Sequence, residues 1–160
     1  MEINYFDRDG EIKVTLFSEE AERIVDQILA DGKPPKENQI RKFYDDVLNF
    51  KSRIEGGESF REILPYLRML KAKTHIAKER KVINSTFKNF IDSNIEYVTD
   101  LSLPIEEMEK RFKIFCTFFE AVVAFYKGRE NKGNTPSHHS RPRPSHSQNY
   151  RSRQYQHRYR

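Results

Sequence analysis

Between Pro104 and Lys127 apolar side chains recur at spacings of three and four along two neighbouring stripes, and this pattern restricts the fold more than any other feature. Ile105, Met108, Phe112, Phe115, Phe119, Val122 and Tyr126 form the first stripe; Ile114, Phe118, Ala121 and Phe125 form the second. Pro104 suits the first turn of such a helix, where its missing N–H has no intrahelical partner to lose. One neighbouring helix cannot cover so wide an apolar surface. Either this is the central helix of a bundle, or part of its face, at Phe112, Phe115, Phe119, Val122 and Tyr126, meets another protein chain or a second copy of this one. Cys116 is the only cysteine, which excludes an intramolecular disulfide and a Cys-rich zinc site. With apolar neighbours on both stripes it reads as a packed thiol rather than a nucleophile, since a reactive thiolate needs exposure and nearby positive charge.

The preceding chain is also helical in period. Ser18 can act as N-cap, with Glu19, Glu20 and Glu22 complementing the helix dipole. Ala21, Ile24, Val25, Ile28 and Leu29 make one face, and Gly32 with Pro34-Pro35 stops the helix. A second helix spans about 37–54, with Ile40, Phe43, Val47, Phe50 and Ile54 on one stripe, and Gly56-Gly57 ends it. Ser59 and Glu62 fit a capping box. Because Pro65 cannot sit deep within a regular helix, a short turn is expected at 59–63, with the third helix starting at Leu64 or Pro65 and reaching about Lys81. A fourth, either separate or continuous with the third, covers about 83–99. The expected fold class is therefore all-α, a compact bundle of about five helices over residues 18–127. Residues 1–17 differ: Ile12, Val14 and Leu16 alternate with polar residues, and Asp7-Arg8-Asp9-Gly10 is turn-forming, which allows a short β-hairpin.

Composition changes abruptly after this helical part. Residues 127–160 carry nine basic side chains against one acidic, and their only apolar side chains are three tyrosines; residues 1–126 carry 20 basic and 23 acidic. The high pI of about 9.3 thus belongs to a tail on a slightly acidic body. Residues 128–160 cannot bury enough apolar surface to offset the entropy of ordering, so a disordered tail is expected. Its Arg and Tyr side chains suit phosphates and unpaired bases, as in Arg141-Pro-Arg143 and Tyr150-Arg-Ser-Arg153, although a merely solubilising terminus has the same look. His138-His139 in such a context does not make a metal site. No apolar run approaches a membrane span and Met1–Gly10 has no signal-peptide core, so a soluble cytoplasmic protein is expected, without a membrane partner.

Enzymatic chemistry finds little to work with. His75 is the sole histidine before the tail, with no nucleophile beside it, and no phosphate-binding glycine loop, dinucleotide fingerprint or HExxH occurs. Acidic residues sit at i, i+4 from cations, as in Arg41–Asp45 and Lys42–Asp46, the pattern of a solvated helix face. No catalytic residue, metal or cofactor is expected. The cations are less evenly placed. Arg68, Lys71, His75 and Lys78 fall on one face of the third helix, with Lys73 and Arg80 on a neighbouring strip. Such a stripe is either a nucleic-acid footprint or an ordinary solvated face. A DNA-binding helix–turn–helix would need a spacing that is not present.

Three segments carry a family resemblance: Gln39–Leu48 with its RKFYD string, Ile63–Arg80 with LPYLRMLKAK, and Phe112–Lys127 with FFEAVVAFYK. Over residues 18–127 the chain resembles the small subunit of the type III-A (Csm) CRISPR effector complex. The resemblance implies a small helical, non-catalytic protein of antiviral defence, present in several copies beside other Csm subunits. It further implies that these copies line a duplex of guide RNA and target RNA and touch its backbone without reading sequence. Carried over by position, Arg41, Lys42, Lys71 and Lys73 are the implied phosphate contacts. Arg80 closes the same motif, while Arg68 and Lys78 join the set through helix geometry. The competing expectation is a helical scaffold that acts through protein contacts, including self-association as a homodimer, with little direct RNA binding.

Overall fold

The computed structural model of the chain describes residues 1–133. A π-helical turn, Leu16–Glu20, runs into α1 (Ala21–Ala30), and α2 (Glu37–Glu55), α3 (Phe60–Arg68), α4 (Leu70–Glu79), α5 (Ser85–Val98) and α6 (Ile105–Gly133) follow. The described residues contain no β-strand, and the all-α bundle expected from the periodicity is the fold.

α6 is the central element, packed against α1, α2, α3 and α5. Its two apolar stripes explain this position. Phe112, Phe115 and Phe119 are 0 % exposed, Val122 is 0 % and Tyr126 2 %, all within the chain's own core. Ile114 and Phe118 of the second stripe are buried as well. The five side chains weighed above as a protein interface are therefore core residues, because neighbouring helices of the same chain already cover them. Phe119 meets Phe90 edge-on with ring centroids 5.4 Å apart, Tyr44 at 5.4 Å and Phe115 in a stack at 5.7 Å. Edge-to-face and offset pairs of this kind add about 0.5–1.5 kcal/mol each beyond the area they bury. Cys116 lies in the same core, and burial pushes its thiol up to about 12, so it is the packed, inert residue its neighbours implied.

Several local expectations change. The first helix begins earlier than Ser18: Glu20 N–H donates to Thr15 C=O at 3.0 Å across the wide turn, and Leu16 at its start is buried. The N-terminal alternation yields a single antiparallel bridge, Phe6 with Ile12, closed over Gly10 at φ +83°, instead of a hairpin. Only Leu16 of the alternating set reaches the core; Val14 is 95 % exposed, because no second strand or sheet face lies there to receive it. The segment is held instead by Tyr5, whose buried hydroxyl donates to Asn94 Oδ1 at 2.6 Å. Asn94 Nδ2 in turn donates to Phe90 C=O at 2.7 Å.

Pro65 sits inside α3 and does not start it. The capping box is strong enough to begin the helix five residues earlier: Ser59 Oγ accepts the Arg61 N–H at 3.2 Å, and the Glu62 carboxylate accepts the Ser59 N–H at 3.2 Å. The helix runs through Pro65, which offers no N–H to the Arg61 carbonyl, and is interrupted for one residue at Met69, so the expected third helix is two, α3 and α4. Lys81, at φ +57°, then separates α4 from α5. α6 continues to Gly133 and does not end at Lys127, with Arg129 holding Asp26 at 2.7 Å and Glu22 at 3.1 Å on α1. Residues 134–160, with the Arg/Tyr-rich stretch and His138-His139, lie outside the described residues.

Candidate nucleic-acid interface

α4 packs on α5 and α3 and lies less closely against α2, which leaves a groove between α2 and α4. Gln39, Lys42, Phe43 and Asp46 line it from α2; Lys73, Ile76, Ala77, Arg80 and Val82 line it from α4 and the turn after it, around a volume of about 260 Å³. Spacing along each helix sets the residues of each wall, and packing brings the two walls together. Lys42 and Asp46 are one turn apart on α2, and Lys73, Ile76, Ala77 and Arg80 follow i, i+3, i+4, i+7 on α4. Three of the seven cations singled out from sequence thus converge on one groove: Lys42, Lys73 and Arg80. Its floor is apolar, with Ile76 51 % and Val82 38 % exposed.

The cations differ in what holds them. Lys73 Nζ pairs with Asp46 across the groove at 2.9 Å. Asp46 was expected to serve Lys42, its i−4 neighbour; the approach of α4 instead brings Lys73 to it. Lys42 and Arg80 are exposed and make no ion pair among the described residues. Arg41 is also exposed and lies outside the groove, beside Tyr44, where its charge opposes the rise that burial imposes on that phenol.

The remaining three face elsewhere. Lys71 pairs with Glu96 of α5. Lys78 stands near Asp31 at the end of α1, a carboxylate held below its usual range mainly by the backbone N–H of Thr86. Arg68 ends α3, one residue before the interruption at Met69, whose backbone stays in the α region. Its guanidinium donates to Thr99 C=O at 2.9 Å and to Thr99 Oγ1 at 3.0 Å, tying α3 to the end of α5. Arg68 at Thr99, Lys71 at Glu96 and Lys78 near Asp31 thus follow α5 from its end to its start, while the neighbouring strip of Lys73 and Arg80 faces the groove. Sequence reasoning placed neither Asp46 in the groove nor Thr99 beneath Arg68, since both contacts join residues 27 or more positions apart.

Among the described residues no group of His, Cys, Asp and Glu is arranged to hold a metal ion. No helix among them is long and apolar enough to cross a membrane. The groove offers positive charge over an apolar floor, which suits an anionic polymer and supplies no proton-transfer pair or nucleophile.

No curated protein and no solved structure matches the chain. The family model for Csm2 Type III-A matches residues 11–132, which takes in the helices from the π-helical turn to α6, short of its last residue. The chain belongs to the Csm2 family of small subunits of the type III-A CRISPR complex.

Proposed function

We propose that this small subunit contacts RNA through the α2–α4 groove, lining a duplex of guide and target RNA within the Csm complex and contributing no catalysis of its own. The observation that carries this is the convergence of Lys42, Lys73 and Arg80 on one groove of a body whose charge is otherwise slightly acidic. Arg41, Lys71 and Lys78 lie outside the groove. Contacts from ammonium and guanidinium groups to phosphates position a nucleic acid without selecting its sequence. Arg68 acts on the fold through Thr99.

The test is RNA binding by Lys42→Ala with Arg80→Ala. Neither side chain is buried or paired, so the fold should be unchanged. Affinity should fall to a similar degree for unrelated RNA sequences. The slope of log K against log salt should shrink by roughly 1.5, the share of two phosphate contacts. Unchanged affinity and slope would leave the protein a scaffold that acts through protein contacts alone.

A further inference from the structure

Every cation of the groove has an environment, and one of them stands out. Lys73 is 47 % exposed at its side chain and carries Asp46 at 2.9 Å, itself 35 % exposed. A surface pair of this type adds little to stability, about 0–1 kcal/mol. Its effect on a polyanion is larger, because the carboxylate lies in the groove itself. An RNA phosphate approaching Lys73 also approaches Asp46, and the two charges nearly cancel at that distance. Seen from the RNA, the groove's positive charge is then Lys42 and Arg80, with Lys73 masked.

We propose that Asp46 is an affinity-limiting residue that neutralises Lys73 and holds the groove's binding of RNA below what its three cations could give. This rests on the groove being the RNA-contacting surface. Summing local charge gives a distinctive pattern. The Lys73–Asp46 pair contributes about zero, Asp46→Asn leaves one positive charge, Lys73→Ala leaves one negative charge, and the double variant again contributes about zero. A residue that merely orients Lys73 towards a phosphate would behave in the opposite way, since its loss would weaken binding.

The experiment measures binding of the full chain to an unstructured RNA and to an RNA duplex over a salt series, with each variant's helicity and melting temperature checked first. Asp46→Asn should tighten binding by about fivefold at low salt and steepen the salt dependence by nearly one further phosphate contact. Lys73→Ala should weaken binding, and the double variant should return to within about twofold of the unmodified protein. Glu109→Gln is the control: it removes one negative charge from a pair on α6, where Glu109 holds Lys113 at 2.7 Å away from the groove. An Asp46→Asn protein that binds equally or more weakly overturns the proposal. So does a Glu109→Gln gain equal to that of Asp46→Asn, which would trace the effect to net charge. Should Asp46→Asn be poorly folded, Asp46→Ser makes the same change of charge. If Lys42→Ala with Arg80→Ala binds as the unmodified protein does, the assignment of the groove itself fails. If that variant weakens binding while Asp46→Asn does not tighten it, only the masking fails.

Discussion

Single polar side chains join elements that the hydrophobic core only brings near one another. Asn84 shows how: its Oδ1 caps α5 by accepting the Phe87 N–H at 3.0 Å, while its Nδ2 donates to Ile28 C=O at 2.7 Å and Asp31 C=O at 2.9 Å at the end of α1. Asp31 completes the junction by accepting the Thr86 N–H at 2.8 Å in the first turn of α5. That hydrogen bond, with the favourable end of the helix dipole, holds the Asp31 carboxyl below its ordinary value of 3.8. A carboxyl depressed by folding stabilises the fold fully above its unfolded value and loses that contribution as pH falls through the folded value. Asp31→Asn should therefore melt lower than the unmodified protein at about pH 6, and the two should converge as pH approaches about 2. Thermal melts followed by helicity across that range would check it; a constant difference between the two proteins would mean the carboxylate charge plays no part.

Helix ends account for most of what separates one element from the next. α2 closes with Glu58 N–H on Arg53 C=O at 3.0 Å and Gly57 N–H on Ile54 C=O at 2.9 Å, a left-handed cap with Gly57 at φ +98°. α4 closes by the same bond pattern, Val82 N–H on Ala77 C=O at 3.1 Å and Lys81 N–H on Lys78 C=O at 2.9 Å, but the left-handed position is Lys81. A side chain with a Cβ is strained there and glycine is not. Lys81→Gly should raise stability by about 0.5–1 kcal/mol, after glycine's own entropic cost, and melt a few degrees higher. Lys81→Val should lower it. The contrast between the two caps shows what could be read from sequence. Gly56-Gly57 marks the end of α2, and Ser59 with Glu62 marks a start, because the residues that make those motifs are themselves diagnostic. The α4–α5 break uses an ordinary lysine and leaves no such mark, so one helix and two were equally consistent with the periodicity. Pro65 misled in the other direction: its local penalty is real, yet Ile63 and Leu67 on either side are buried, and their packing holds the helix through it. The groove was legible only as an inventory of cations, since Lys42, Lys73 and Arg80 meet through the packing of α4 on α5 and not through any spacing along the chain.

At the scale of the whole molecule, charge is unevenly placed along the chain. Residues 134–160 hold six arginines and no acidic residue, whereas residues 1–133 hold 23 basic and 24 acidic side chains. Net charge alone would assign RNA binding to the C-terminal segment, while the groove assigns it to two or three cations on a nearly neutral body. These alternatives separate in a chain that ends at Gly133. The core of the described residues, the Arg129 link between α6 and α1 and the Tyr126 hydrogen bond to Pro35 C=O lie within that length, so the melting temperature should be unchanged. Removal of six arginines should weaken RNA binding and lower the salt slope by up to about four, if each arginine contributes its full share. A residual slope of roughly two should remain, the part due to the groove, and Lys42→Ala with Arg80→Ala in the shortened chain should abolish most of it. A shortened chain that folds normally but binds no RNA at low salt would place the whole affinity in the C-terminal segment. The α2–α4 groove would then be left as a surface for protein, and Ile76 and Val82 on its floor would be the side chains to test next.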